Sequence, residues 1–97
     1  KELRCLNNQL NSLEGIENLV NLEYLSCYNN QLTSLEGIEN LVSLEQLWCY
    51  GNHLTSLKEI ENLVNLKELW CWDNQFTIEY GNYLRNYCKK KNIILEI

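Results

Sequence analysis

Apolar residues return along this chain with a period of 22, in segments that open at Leu3, Leu25, Leu47 and Leu69. Each segment begins with a Leu-x-Cys pair set among polar or aromatic neighbours, as in Tyr24-Leu25-Ser26-Cys27-Tyr28. That alternation places Leu25 and Cys27 on one side of a strand and Tyr24, Ser26 and Tyr28 on the other. The rhythm then changes. Leu35, Ile38, Leu41 and Leu44 fall at steps of three, the spacing of a 3₁₀-type or short helical return. The first two copies agree at 17 of 22 positions and the second and third at 14, whereas the fourth keeps only its opening, up to Thr77. Self-similarity at this period predicts a stacked solenoid. One unit cannot bury its apolar set alone, so each copy depends on its neighbours.

After Thr77 the pattern becomes that of an α-helix. Tyr80, Tyr83, Leu84, Tyr87 and Cys88 follow i, i+3, i+4, i+7, i+8 within a stretch from Ile78 to Lys90. Thr77 suits the N-cap, and Lys89–Lys91 place positive charge at the C-terminal end of the helix dipole. Asn92 suits a left-handed helix end, and Ile93–Ile97 reads as a last strand. This segment is expected to cap the core at its C-terminal end. The first strand, expected over Glu2–Leu6, has no such cover, and its open edge predicts end-to-end self-association.

The motif L-x-x-L-x-C-x-x-N-x-L runs through Leu22, Leu25, Cys27, Asn30 and Leu32, and again through Leu44, Leu47, Cys49, Asn52 and Leu54. On these residues the chain resembles the leucine-rich repeat family, with Cys in the third apolar slot. The 22-residue period and the phrase LTSLEGIENL resemble the internalin-like class, and the Cys variant with NQLTSL is similar to arrays of bacteria and giant viruses. The resemblance implies an α/β fold: a right-handed leucine-rich repeat solenoid with a concave parallel sheet and short 3₁₀ or helical returns on the convex side. A C-terminal helix–strand cap completes it. Residues 1–97 then form one domain with repeats 3–24, 25–46, 47–68 and 69–77 and a cap over 78–97, read as a fragment of a longer chain. At each turn a buried Asn (Asn8, Asn30, Asn52, Asn74) is expected to bond backbone groups of its own and the adjacent repeat.

Composition adds exclusions. The charged fraction of 22 % and hydrophobic fraction of 45 % are those of an ordinary globular chain. No apolar run approaches membrane-spanning length. The net charge of −5 is dispersed over Glu14, Glu17, Glu36, Glu39, Glu59 and Glu61, which reads as a solvated surface and argues against nucleic acid as a partner. Cys5, Cys27, Cys49 and Cys71 occupy inward slots, so they read as small apolar packing groups, as does Cys88 on the inner helix face. Without a C-x-x-C pair or a nearby His they lack zinc spacing, and parallel Cβ vectors on adjacent strands suit disulfides poorly. Five reduced thiols point to an intracellular setting, the host cytosol if the source is viral or a bacterial effector. His53 stands where other copies carry Gln, an exposed turn position, and the glycines are scattered singly. Nothing here assembles a catalytic group, a metal site or a cofactor site.

The outward side of the sheet carries the functional content. Its columns read Glu2, Tyr24, Gln46, Glu68; then Arg4, Ser26, Trp48, Trp70; then Leu6, Tyr28, Tyr50, Trp72. All three tryptophans therefore share one face. Tyr24, Tyr28, Trp48, Tyr50, Trp70 and Trp72 are expected to form a partner-binding surface, with Glu68, Asp73 and Gln46 at its rim. Trp and Tyr are enriched at binding hot spots, and aromatics of this size seldom gather in the open without a use. Aromatics also suit a sheet surface for packing alone. The expected partner is a protein (a peptide, loop or helix) bringing apolar and basic side chains. The other readings are a carbohydrate stacked on the rings, and a structural or targeting segment of a larger effector.

Overall fold

The computed structural model describes residues 1–4 and 11–97. Its sheet is parallel, with β1 (Glu2–Arg4), β2 (Tyr24–Ser26), β3 (Gln46–Trp48), β4 (Glu68–Trp70) and β5 (Ile94–Glu96) in sequence order. The register follows the repeat: Leu3, Leu25, Leu47, Leu69 and Leu95 are paired in a row. β1 and β5 are the two edges. The expectations for Cys5, Leu6 and Asn8 lie outside the described residues, as does the end of the first strand.

Each strand leads to a turn and then a 3₁₀ return, at Ile16–Asn18, Ile38–Asn40 and Lys58–Asn62. The steps of three place Leu35, Ile38, Leu41 and Leu44 wholly in the interior, with Leu57, Ile60, Leu63 and Leu66 stacked as the next layer. Each such side chain contributes roughly 1.5–3 kcal/mol on burial. The returns of the first two repeats begin after Gly15 and Gly37, both left-handed at φ 95° and 106°. At Gly37 there is a second constraint, since a Cβ would lie 3.1 Å from Ile16 Cγ2 of the preceding repeat. The third repeat has Glu59 at that position, and its return starts earlier and runs five residues. The reading of Glu59 as a solvated acid is therefore corrected. It takes the glycine's place against the preceding repeat and is buried, with Oε1 making no hydrogen bond among the described residues.

The asparagine ladder binds the repeats at their turns. Asn52 Nδ2 donates to Cys49 O and Tyr50 O of its own repeat and to Cys27 O of the preceding one, at 3.0, 3.3 and 3.1 Å. Its Oδ1 accepts from Leu32 N at 3.0 Å. Asn74 repeats the set with Cys71, Trp72, Cys49 and Leu54. One amide thus saturates backbone groups that the turn would otherwise bury without partners.

The cap is α1 (Ile78–Lys91), one residue longer than the sequence pattern requires, with Thr77 Oγ1 accepting from Tyr80 N at 3.0 Å. Asn92 closes it at φ 59° in the left-handed region, and Ile93 N donates to Cys88 O. Leu84 and Cys88 enter the core. Two phenols fasten the helix to the third repeat: Tyr80 Oη accepts from Leu57 N at 2.7 Å, and Tyr83 Oη donates to Glu61 Oε2 at 2.5 Å. The chain then returns as β5, with Ile94 N bonded to Lys67 O and Cys71 N to Glu96 O.

Candidate functional site

Three-residue strands in strict register carry the aromatic side chains into rows. Trp48 and Trp70 are paired residues of β3 and β4, and their rings stack at 4.0 Å between centroids, 3° from parallel. Tyr24 meets Trp48 edge-on at 5.2 Å. A second row follows the strand ends: Tyr28 stacks on Tyr50 at 4.4 Å, and Tyr50 on Trp72 at 4.1 Å. Trp70 and Trp72, 5.7 Å apart and tilted, join the rows. The second row keeps its register because pairing continues past the strands, with Asn29 N donating to Tyr50 O and Gly51 N to Trp72 O. Asn29, Gly51 and Asp73 then turn the chain in left-handed conformations at φ 58°, 71° and 57°. Glycine is required at the middle one, where a Cβ would collide with the Asn29 side chain.

The structure thus gathers Tyr24, Tyr28, Trp48, Tyr50, Trp70 and Trp72 on one face. Glu68 belongs to it as well, because its Oε1 accepts from Trp48 Nε1 at 3.0 Å. Gln46 and Asp73 are exposed at the margins. Ser26, in the same outward column, is fully buried between larger neighbours, and its hydroxyl makes no hydrogen bond among the described residues. Most of the rings are half-buried in one another, and Trp72, at 39 % exposure, is the most open tryptophan. Tyr50 is covered on both faces, and this burial, followed by the adjoining Tyr28 phenol, raises its pKa.

Two further groups belong to this face. Arg4 places its guanidinium 5.5 Å from the Tyr24 ring centroid and pairs with Glu2 at 3.3 Å. At the opposite edge, Glu96 is the paired neighbour of Trp70. The alternation Ile94–Leu95–Glu96, with Leu95 packed against the core, was the signal for it; the register with β4 gives it meaning.

Cys27, Cys49, Cys71 and Cys88 are buried. Burial pushes the Cys71 thiol up to about 12 and Cys88 to about 11, and raises Cys49 well above its ordinary value, so none of these three is primed as a nucleophile. His53 is exposed, with Nδ1 3.1 Å from Gln75 Nε2. Among the described residues, no cluster of His, Cys, Asp or Glu is arranged to hold a metal ion, and no helix is long and apolar enough to cross a membrane. A cleft of 590 Å³ lies on the return side, lined by Glu14, Glu17, Glu36 and Glu39, away from the aromatic face.

The comparisons agree with this architecture. The model of the family described as leucine-rich repeats (2 copies) matches residues 1–40 and again 42–82. The chain belongs to the leucine-rich repeat family. Among solved structures, an internalin (inlF) from Listeria monocytogenes str. 4b F2365 is similar over 99 % of this chain, at 31 % identity and a TM-score of 0.82. This chain spans 27 % of that protein. No curated protein matches. Leucine-rich repeat solenoids of this kind are non-enzymatic scaffolds for protein interaction, and that general role comes to this chain with its family.

Proposed function

We propose that this leucine-rich repeat domain recognises its partner protein on the aromatic face of the sheet, through Trp48, Trp70 and Trp72 with Tyr24, Tyr28 and Tyr50. Glu68 and Asp73 set the charge preference at the rim. The observation that carries this reading is the merging of six rings into two joined rows on an open face. Rigid aromatics already ordered by stacking lose little conformational freedom on binding, which favours them as anchors. The partner is a peptide, loop or helix with apolar and basic side chains. A sugar needs an uncovered ring face, and stacking within the rows already covers both faces of Tyr50 and one face each of Tyr28, Trp48, Trp70 and Trp72. A segment of a larger effector that presents this face, in a reducing intracellular setting, is compatible with the same reading.

The test is capture of proteins from a lysate by the domain, beside a Trp70→Leu/Trp72→Leu variant and a Val42→Ser/Val64→Ser control on exposed positions outside the face. Melting curves must show the variants folded. Proteins retained by the parent and control but lost with the tryptophan variant support the face. Equal retention by all three removes it.

A further inference from the structure

The two ends of the aromatic face are closed differently. At the β1 end, Arg4 lies over the Tyr24 ring and is held by Glu2, so a ring, a guanidinium and a carboxylate form a set. At the β5 end there is a ring and a carboxylate but, among the described residues, no cation paired with either. Trp70 has one face against Trp48, and its other face is turned toward β5, where the paired residue is Glu96. Glu96 is exposed, and its carboxylate has no ion pair or hydrogen bond among the described residues.

The register thus sets an acidic residue next to an indole whose face is itself negative through the ring's quadrupole, and the two do not complement each other. A cation between them satisfies both. Trp48 and Trp70 stack at 4.0 Å, and a planar cation can continue that stack on the outer side of Trp70. Ile94, 60 % exposed and paired with Glu68 in the adjoining column, offers apolar surface for an aliphatic stem. A planar guanidinium suits the slot better than an ammonium, since it stacks on an aromatic face and bonds a carboxylate through two N–H groups at once.

We propose that the β5 end of the face receives an arginine side chain of the partner protein, stacked on the free face of Trp70 and paired with Glu96. This rests on the aromatic face being the recognition surface, and adds to it the partner's chemistry and a specificity-determining residue. The partner completes at one end the set that Arg4 completes within the chain at the other.

The test uses a random-peptide display library panned on the 97-residue chain, then synthetic binders in which each Arg is replaced by citrulline, a neutral isostere. The expected binders carry an Arg whose replacement weakens binding about tenfold at low salt. Glu96→Gln, an exposed and isosteric change, is expected to erase that difference while leaving the citrulline peptide's affinity and the melting temperature unchanged. Binders that tolerate citrulline, or an Arg preference that survives Glu96→Gln, overturn the arginine slot while leaving the face in place. Binders indifferent to Trp70→Leu and Trp72→Leu, or no binders at all, overturn the face itself.

Discussion

Trp48 and Trp70 stand in register on neighbouring strands with their rings 4.0 Å apart, and the carboxylate of Glu68, two residues before Trp70, accepts the Trp48 indole N–H. The repeats that carry β3 and β4 are therefore tied twice on the outer face, once by stacking and once by a hydrogen bond. The same rings form the surface proposed here to meet a partner. Packing and recognition are not competing explanations of these residues, because the stacking that fixes the rings is also what pre-orders them.

A double-mutant cycle measures that tie. Trp48→Leu and Trp70→Leu should each destabilise the domain, and the pair should show a coupling of about 1 kcal/mol, typical of stacked aromatics. Additive effects in denaturant melts would show that the rings merely adjoin. Near-UV circular dichroism provides a second readout, since either variant should abolish the signal from the coupled indoles.

The asparagine ladder should be graded by burial. Asn52 is buried and Asn74 only partly so, though both make equivalent hydrogen bonds. Asn52→Ala strands the buried Leu32 N–H and should cost about 3 kcal/mol, whereas Asn74→Ala should cost roughly half as much because water reaches the vacated groups. For a domain of this size the first corresponds to a melting-temperature drop of more than about 10 °C. Equal losses would refute the grading.

Much of this was legible before any coordinates. Identical repeats force identical register, so the leucine row, the 3₁₀ steps, the Asn turns and the contents of each aromatic column followed from the period alone. Thr77 and Asn92 marked the helix ends through their capping chemistry. What the period could not supply was ring geometry, because stacking depends on rotamers rather than on columns. It also misplaced residues that differ from their repeat counterparts. Ser26 reads as exposed by alternation, yet a small side chain between large ones is buried. Glu59 reads as solvated by charge, yet its column is the one in which Gly37 of the second repeat lies against the preceding layer.

Alkaline pH should weaken the domain from two sides. The hydrogen bond to Glu61 pushes the Tyr83 phenol from 10.0 to about 12. Burial raises Cys49, Cys71 and Cys88 from 9.0. Folded-state values above the unfolded ones mean that the unfolded chain releases these protons first. Stability is then complete below pH 9 and falls as pH rises, through the thiols from about 9 and through Tyr83 between 10 and 12. Tyr83→Phe should flatten the upper part of the decline, and melts from pH 8 to 11.5 would check it. Neutral-pH thiol titration should find Cys49, Cys71 and Cys88 unreactive until the chain unfolds, and rapid native labelling would contradict their burial.

Glu59 is a place where the sequence can be improved. Its Oε1 is buried without a hydrogen bond among the described residues, and an unsatisfied buried polar atom costs free energy. Glu59→Ala keeps the Cβ, removes the stranded oxygen and should stabilise the domain by about 1 kcal/mol. Glu59→Gly, although it restores the residue found at this position in the first two repeats, should be less stable than the alanine variant by roughly 0.5–1 kcal/mol. In those repeats the glycine is a left-handed residue preceding the return, whereas residue 59 lies inside a 3₁₀ segment that begins at Lys58, where glycine's freedom only adds entropy to the unfolded chain. Melting all three proteins side by side decides it: the order Ala above Gly supports the burial and local geometry assigned to this position, and a loss of stability on going from Glu to Ala would mean that the carboxylate is satisfied.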